Sequence, residues 1–298
     1  MGSDDLTTRP SPEGAGLVVE GLGLKGPRGW AFRDVSFHAG AGSLVALEGP
    51  SGTGRTCLLL ALTGRMRTKE GTAEIGGLPL PRRMAAVRRI AALGQVPGVS
   101  ELDPSLTVAE HLRERALLQH RFDGSVRALL RRPGTRAAET RARIDEAVAA
   151  AGLDLAALPK GDRTSVRDLE RLEALRLSIA LALIGRPRLL GVDDTDLKLS
   201  DADRAEAWAL LRAVADAGTT VLAVCSEAPA DVLRITTVTA PAAADPDAKN
   251  TAGDDTEAAE DTEDTVGKSA EDSAEDTAED DDTTEEGADD ALAETGRA

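Results

Sequence analysis

Apolar positions between residues 17 and 240 follow two rhythms. Short continuous runs rich in Leu, Val, Ile and Ala alternate with longer stretches in which apolar residues recur every three or four positions. The short runs predict strands over Leu17–Glu20, Ala31–Phe37, Leu44–Leu47, Thr72–Ile75, Ile90–Leu93, Leu189–Val192 and Thr220–Cys225. The longer stretches predict helices over Arg55–Leu62, Val108–Leu118, Thr135–Ala151, Asp168–Ile184 and Asp201–Ala217. In the fourth of these, Leu169, Leu172, Leu175, Ile179 and Leu183 fall on one helical face. Strands alternating with helices imply an α/β domain with a mostly parallel sheet.

Two regions break the alternation. From about residue 100 to 186 the pattern is nearly all helical, as expected of a helical subdomain inserted into the α/β core. Within it Arg121–Arg136 is basic and carries Pro133-Gly134, which reads as a loop or insertion. The ends differ again. Residues 1–15 are rich in Gly, Pro and Ser and are expected to be flexible. Residues 241–298 are rich in Asp, Glu, Thr and Ala, with SAED, SAED and TAED in succession from Ser269 to Asp280. With almost no large apolar side chain, this tail cannot offset its ordering entropy and is expected to be disordered. The expected domains are therefore 1–15, 16–240 and 241–298.

Charge sharpens that division. The net charge is −17. Residues 241–298 hold 22 acidic against 3 basic side chains, whereas residues 1–240 hold 30 against 32. A nearly neutral body thus carries an acidic extension, either a solubilising one or an arm for a basic partner. Aromatic residues make up 2% of the chain, too few for a base-stacking surface, so no nucleic-acid partner is expected. Cys57 and Cys225 lie in apolar runs and read as small core residues of a reducing compartment. The start is polar, and no apolar run approaches the ~20 residues of a membrane span, so the expectation is a cytoplasmic protein with no span of its own.

The chemistry concentrates at GPSGTGRT, residues 49–56, between an apolar strand and the helical run CLLLAL. Strand, glycine-rich turn and helix is the setting of a phosphate-binding loop. Gly49, Gly52 and Gly54 let the backbone curl so that successive N–H groups face phosphate oxygens, with Pro50, Ser51 and Thr53 completing the loop. The next helix adds the positive end of its dipole. Thr56 is placed to offer a hydroxyl to Mg²⁺. Where such loops carry Lys, this one has Arg55, planar and wider, so the exchange is not conservative.

Further motifs follow in order. FRDVSFHAGAGSLVALEGPSGTGRTCLLLALTG (32–64), GTAEIGGLPL (71–80), IAALGQVPGVSELDPSLTVAEHL (90–112) and RPRLLGVDDTD (186–196) together resemble an ATP-binding cassette (ABC) ATPase across about residues 16–240. The resemblance implies a P-loop NTPase fold of the ABC ATPase type. It implies a mostly parallel core, antiparallel opening strands and an inserted helical subdomain. It implies ATP and Mg²⁺ as cofactors. Gln95 would be the Q-loop glutamine that reaches Mg²⁺ and the attacking water. Asp193 would hold Mg²⁺ at the Walker B position. Partners would be a membrane permease and a second cassette, the same or different, on the inner face of the plasma membrane.

The departures are equally specific. The catalytic Glu of the family is replaced by Asp194, one methylene shorter, and a displaced base can cost on the order of 10² to 10⁴ in rate. The switch His aligns with Ser226. The signature LSGGQ falls on Leu169-Glu170-Arg171-Leu172-Glu173, which lacks both glycines and adds two carboxylates. That segment also reads as an ordinary helix start. The D-loop segment TDLKLSD lacks the usual Pro. The adenine-stacking aromatic is missing from its usual place, leaving Trp30 to stack on adenine or to pack at the sheet edge, while Trp208 reads as a packing residue. Three functions fit: a cassette that binds MgATP with weak or no hydrolysis, a scaffold that has lost nucleotide dependence, and a working transport ATPase.

Overall fold

The computed structural model describes residues 14–27, 29–122 and 133–237. Residues 1–13 of the expected flexible start and the acidic tail lie outside them, as does most of Arg121–Arg136. Gly14 and Ala15, counted with that start, are held in place: Ala15 is fully buried in the core and its N–H donates to the Arg188 carbonyl at 3.0 Å.

Two sheets organise the body. The strands are β1 (Leu17–Gly26), β2 (Gly29–Ala39), β3 (Leu44–Glu48), β4 (Glu70–Ile75), β5 (Leu78–Leu80), β6 (Ala91–Leu93), β7 (Leu189–Val192), β8 (Thr220–Cys225) and β9 (Leu233–Thr236). β2-β1-β4-β5 form an antiparallel sheet, and β6-β7-β8-β3-β9 a parallel one. The helices are α1 (Arg55–Leu62), α2 (Met84–Ile90), α3 (Val108–Phe122), α4 (Pro133–Ala150), α5 (Arg171–Leu183) and α6 (Asp201–Asp216).

The inner strands of the parallel sheet are apolar at nearly every position because both faces are covered. Alternate residues go to different cores, as the two-residue period of a strand requires. Val221, Ala223 and Cys225 of β8 join Leu211 and Trp208 of α6 and Ile179 of α5. Leu222 and Val224 point the other way, with Val45 and Leu47 of β3, to Leu58, Leu59 and Leu62 of α1 and to Leu17, Leu22 and Phe32 of the antiparallel sheet. α1 is thus clamped between two sheets. Each Leu fully buried there contributes roughly 1.5–3 kcal/mol of transfer free energy. This is an α/β fold with antiparallel and parallel sheets and a helical stretch between β6 and β7, the arrangement that the resemblance implies.

Several expectations need correction. The helix expected from Asp168 begins at Arg171, and Leu169, expected on its apolar face, is an extended residue before it. Besides Leu172, Leu175 and Ile179, Leu177, Ser178, Ala180 and Ala182 are also buried, because α5 packs on α3 and α4 and on the sheet core. Helix α3 runs through Phe122 and α4 begins at Pro133, so the loop reading of Arg121–Arg136 fails at both ends; Pro at the first helical position has no N–H to leave unsatisfied. Ile90 closes α2 and does not open β6. Cys57 is only half-buried, although Cys225 is fully buried. Trp208 is buried as expected, at 3% exposure.

Candidate functional site

The C-terminal ends of β3, β7 and β8 lie side by side in the parallel sheet, with Glu48 in register with Cys225 and Val192 with Ala223. The loops after these strands therefore converge although nearly 180 residues separate the first from the last.

After β3 the chain curls through Gly49-Pro50-Ser51-Gly52-Thr53-Gly54 before α1. Thr53 closes the turn, its hydroxyl donating to the Pro50 carbonyl at 2.9 Å. Gly49, Gly52 and Gly54 have φ of 151°, 86° and 80°. At Gly54 the requirement is double. A Cβ there would lie 2.0 Å from the Ala31 carbonyl oxygen of β2, so only glycine lets the strand approach the loop. α1 starts directly behind it, with Leu58 N–H donating to the Gly54 carbonyl at 2.9 Å.

Arg55 does not project freely from this loop. Its Nη1 donates to the carbonyl oxygen of Cys225 at the end of β8. The Gly49 N–H donates to the same oxygen at 3.3 Å. Thr56 turns the other way, its hydroxyl donating to Asp193 Oδ2 at 2.7 Å. The hydroxyl and the carboxylate assigned to Mg²⁺ from sequence are thus neighbours. Asp193 is 2% exposed, and burial raises its carboxyl pKa above the ordinary range, against the lowering effect of the Thr56 hydrogen bond.

Gln95 reaches the same place through its backbone: its carbonyl accepts from the Asp193 N–H at 2.9 Å, and its side chain is half-exposed. Asp194 has φ of 50°, a left-handed conformation uncommon outside glycine but tolerated by Asp. Its N–H donates to Asp193 Oδ1 at 2.9 Å. Ser226 is exposed at the start of the loop after β8. The structure thus gathers the phosphate loop, Arg55, Thr56, Gln95, Asp193, Asp194 and Ser226 at one sheet edge.

One residue escaped sequence reasoning. Asp196 Oδ2 accepts from the N–H groups of Ser226 at 2.6 Å and Glu227 at 3.2 Å, tying the loop after β7 to the loop after β8. Its position in VDDTD, the third carboxylate in four residues, was the available signal. The Cys225 thiol between these loops is pushed up to about 12, first by burial and then by Asp196 and Glu48, with Arg55 opposing.

The segment Leu169–Glu173 forms a helix start. Glu170 is the N-cap of α5 and Glu173 its N3 residue, in a reciprocal capping box, with the Glu170 N–H donating to Glu173 at 2.8 Å. Trp30 is half-exposed beside Ala31. The Arg33 guanidinium lies 4.7 Å and the Lys25 ammonium 5.8 Å from its ring centre, both within cation–π range.

A family model described as ABC transporter matches residues 32–196, from the opening strands through the phosphate loop to the Asp193–Asp196 turn. The chain belongs to the ABC transporter family. Among similar proteins of this family is Nod factor export ATP-binding protein I of Paraburkholderia xenovorans, 32% identical over 188 residues, 63% of this chain and 55% of the relative. A probable anion import ATP-binding protein of Haloferax volcanii is 30% identical over 229 residues, 73% of this chain and 76% of the relative. The chain thus spans about half the length of the first of these. Two solved structures share the fold. One is a dimeric ATP-binding cassette in a post-hydrolysis state bound to ADP and Pi, with TM-score 0.55, 21% identity, and coverage of 71% of this chain and 88% of the other. The second is a bacterial Atm1-family ABC exporter with ATP bound, with TM-score 0.54, 23% identity, and coverage of 75% and 36%. Among the described residues, no helix is long and apolar enough to cross a membrane.

Proposed function

We propose that this ABC-family chain is the ATP-binding subunit of a transporter, holding MgATP while hydrolysing it weakly or not at all. The observation that carries the binding half is the Thr56–Asp193 contact behind a glycine loop at positive φ. Hydroxyl and carboxylate are set together where the loop would hold a terminal phosphate, a fitting arrangement for Mg²⁺, which takes few protein ligands and completes its shell with phosphate and water. Among the described residues no cluster of three or more His, Cys, Asp or Glu side chains forms an all-protein metal cage, consistent with a metal that arrives with its nucleotide. The amides of residues 49–56 would hold the phosphates, Thr56, Asp193 and Gln95 the metal, and Trp30 would stack on adenine in place of the Arg33 guanidinium. The body from 16 to 240 is the nucleotide-binding domain in this reading.

Weak turnover follows from positioning, which dominates phosphoryl transfer. Arg55 is committed to a backbone carbonyl. Asp194 is shorter than the family's Glu and sits on a left-handed turn. Ser226 has no ring nitrogen to hold a phosphate. In the LSGGQ position, Glu170 and Glu173 already satisfy the helix N-terminus that the family motif offers to a partner's nucleotide. This places negative charge at the surface where a second cassette would close. A permease, and a partner cassette with an intact signature, complete the assembly, at the inner face of the plasma membrane.

Calorimetry of the full chain with MgATP tests the reading. Micromolar binding that is lost in Arg55→Ala and in Asp193→Ala supports it, together with ATPase activity that stays low in Asp194→Glu. Brisk hydrolysis by the natural chain, or by Asp194→Glu alone, overturns the weak-turnover half. Absence of binding at millimolar MgATP moves the assignment to a scaffold that kept the fold without nucleotide dependence.

A further inference from the structure

The peptide unit joining Cys225 to Ser226 is held from both sides. Its carbonyl oxygen accepts from Arg55 Nη1 and from the Gly49 N–H at 3.3 Å. Its N–H donates to Asp196 Oδ2 at 2.6 Å, and the next N–H, of Glu227, donates to the same oxygen at 3.2 Å. A cation of the phosphate loop and an anion of the loop after β7 thus bracket one peptide unit at the end of β8. Two successive backbone N–H groups converging on one oxygen make a small anion nest. Here the nest is filled from within, by a carboxylate half-exposed at the rim of the nucleotide site.

The physical consequence is competition. Arg55 is the only cationic side chain of residues 49–56, and the terminal phosphate would draw on it. Asp196 sits across one peptide unit from that guanidinium. It offsets part of the positive potential there and adds a negative charge next to where a third phosphate would lie. A diphosphate held by the loop amides and the α1 N-terminus would draw less on Arg55 and so would depend less on the Asp196 charge.

We propose that Asp196 is a specificity-determining residue that biases this site against the third phosphate, narrowing the difference between MgATP and MgADP. The inference rests on nucleotide binding at residues 49–56, as proposed above.

The test is calorimetric titration of the full chain with MgATP and with MgADP, for the natural protein, Asp196→Asn and Asp196→Ala. Asn keeps an oxygen for the two N–H groups and removes the charge. Removing one unit charge near the triphosphate terminus should raise MgATP affinity by about three- to tenfold, shrinking at high salt, with MgADP affinity changed less than about twofold. Amide hydrogen exchange gives a nucleotide-independent readout. Ser226 and Glu227 should be protected in the natural chain, largely so in Asp196→Asn, and should exchange at least about tenfold faster in Asp196→Ala. Natural-chain binding with an unchanged MgATP-to-MgADP ratio in Asp196→Asn overturns this inference and leaves nucleotide binding standing. A fall in MgATP affinity on charge removal also overturns it. MgATP binding gained only in Asp196→Asn supports it while refuting binding by the natural chain. No binding by either protein refutes both. Fast exchange at Ser226 and Glu227 in the natural chain refutes the bracket itself.

Discussion

Gly54 permits a stability experiment with its control in the same loop. Gly54→Ala and Gly52→Ala both place a Cβ on a left-handed residue, φ 80° and 86°. That conformation costs an L-residue roughly 1–2 kcal/mol, partly offset by the lower chain entropy of Ala in the unfolded state. The two sites then diverge. At Gly52 the new methyl meets nothing within 4 Å. At Gly54 it lies 2.0 Å from the Ala31 oxygen and 2.6 Å from the Ala31 carbonyl carbon, backbone atoms that cannot rotate away. Strand β2 or the loop must move by more than an ångström, disturbing the α1 clamp; overpacking of this kind costs about 1–3 kcal/mol. Gly52→Ala should therefore lose about 1 kcal/mol and Gly54→Ala about 2–4 kcal/mol. Urea unfolding of the full chain, followed by tryptophan fluorescence, measures both midpoints with the slope checked for constancy. Equal losses within about 0.5 kcal/mol would refute the claim that contact with β2, and not φ alone, demands glycine at residue 54.

Replacing Glu170 by Ala removes the N-cap of α5 and should cost about 1 kcal/mol, and the Glu170→Ala, Glu173→Ala double variant little more, because the two carboxylates act as one box; thermal unfolding decides this. Asp193→Asn should raise the melting temperature of the nucleotide-free chain at neutral pH. The reason is linkage: a carboxylate whose folded pKa is raised loses stability as pH rises through its unfolded and folded values. The gain should vanish below the unfolded carboxylate pKa, and a gain that persists there would count against burial as the cause. If Trp30 stacks on adenine, MgATP should quench fluorescence in the natural chain and in Trp208→Phe but not in Trp30→Phe; quenching that survives in Trp30→Phe assigns Trp30 to packing with Arg33 and Lys25.

Much of this protein is written in local pattern. The strands Leu189–Val192 and Thr220–Cys225 and the helix Arg55–Leu62 lie where their apolar runs predict, because each is buried on both sides and leaves a continuous signal. The glycine loop at 49–56 is equally legible, since glycines at that spacing between strand and helix answer a backbone need that few other residues meet. The elements without such a signal were not foreseen. α2 has seven residues, and edge strand β9 leaves Leu233, Arg234 and Thr236 exposed. Within the site, sequence order supplied Gly49–Thr56, Gln95 and Asp193. Only the tertiary structure decided what their polar atoms do, because parallel pairing of β3, β7 and β8 joins groups far apart in the chain. It turned Arg55 onto the Cys225 carbonyl, set Thr56 against Asp193, and placed the Asp196 carboxylate on the Ser226 and Glu227 amides. A hydrogen bond needs about 3 Å, and spacing along a chain does not set that distance; the sheet that brings the strand ends together does.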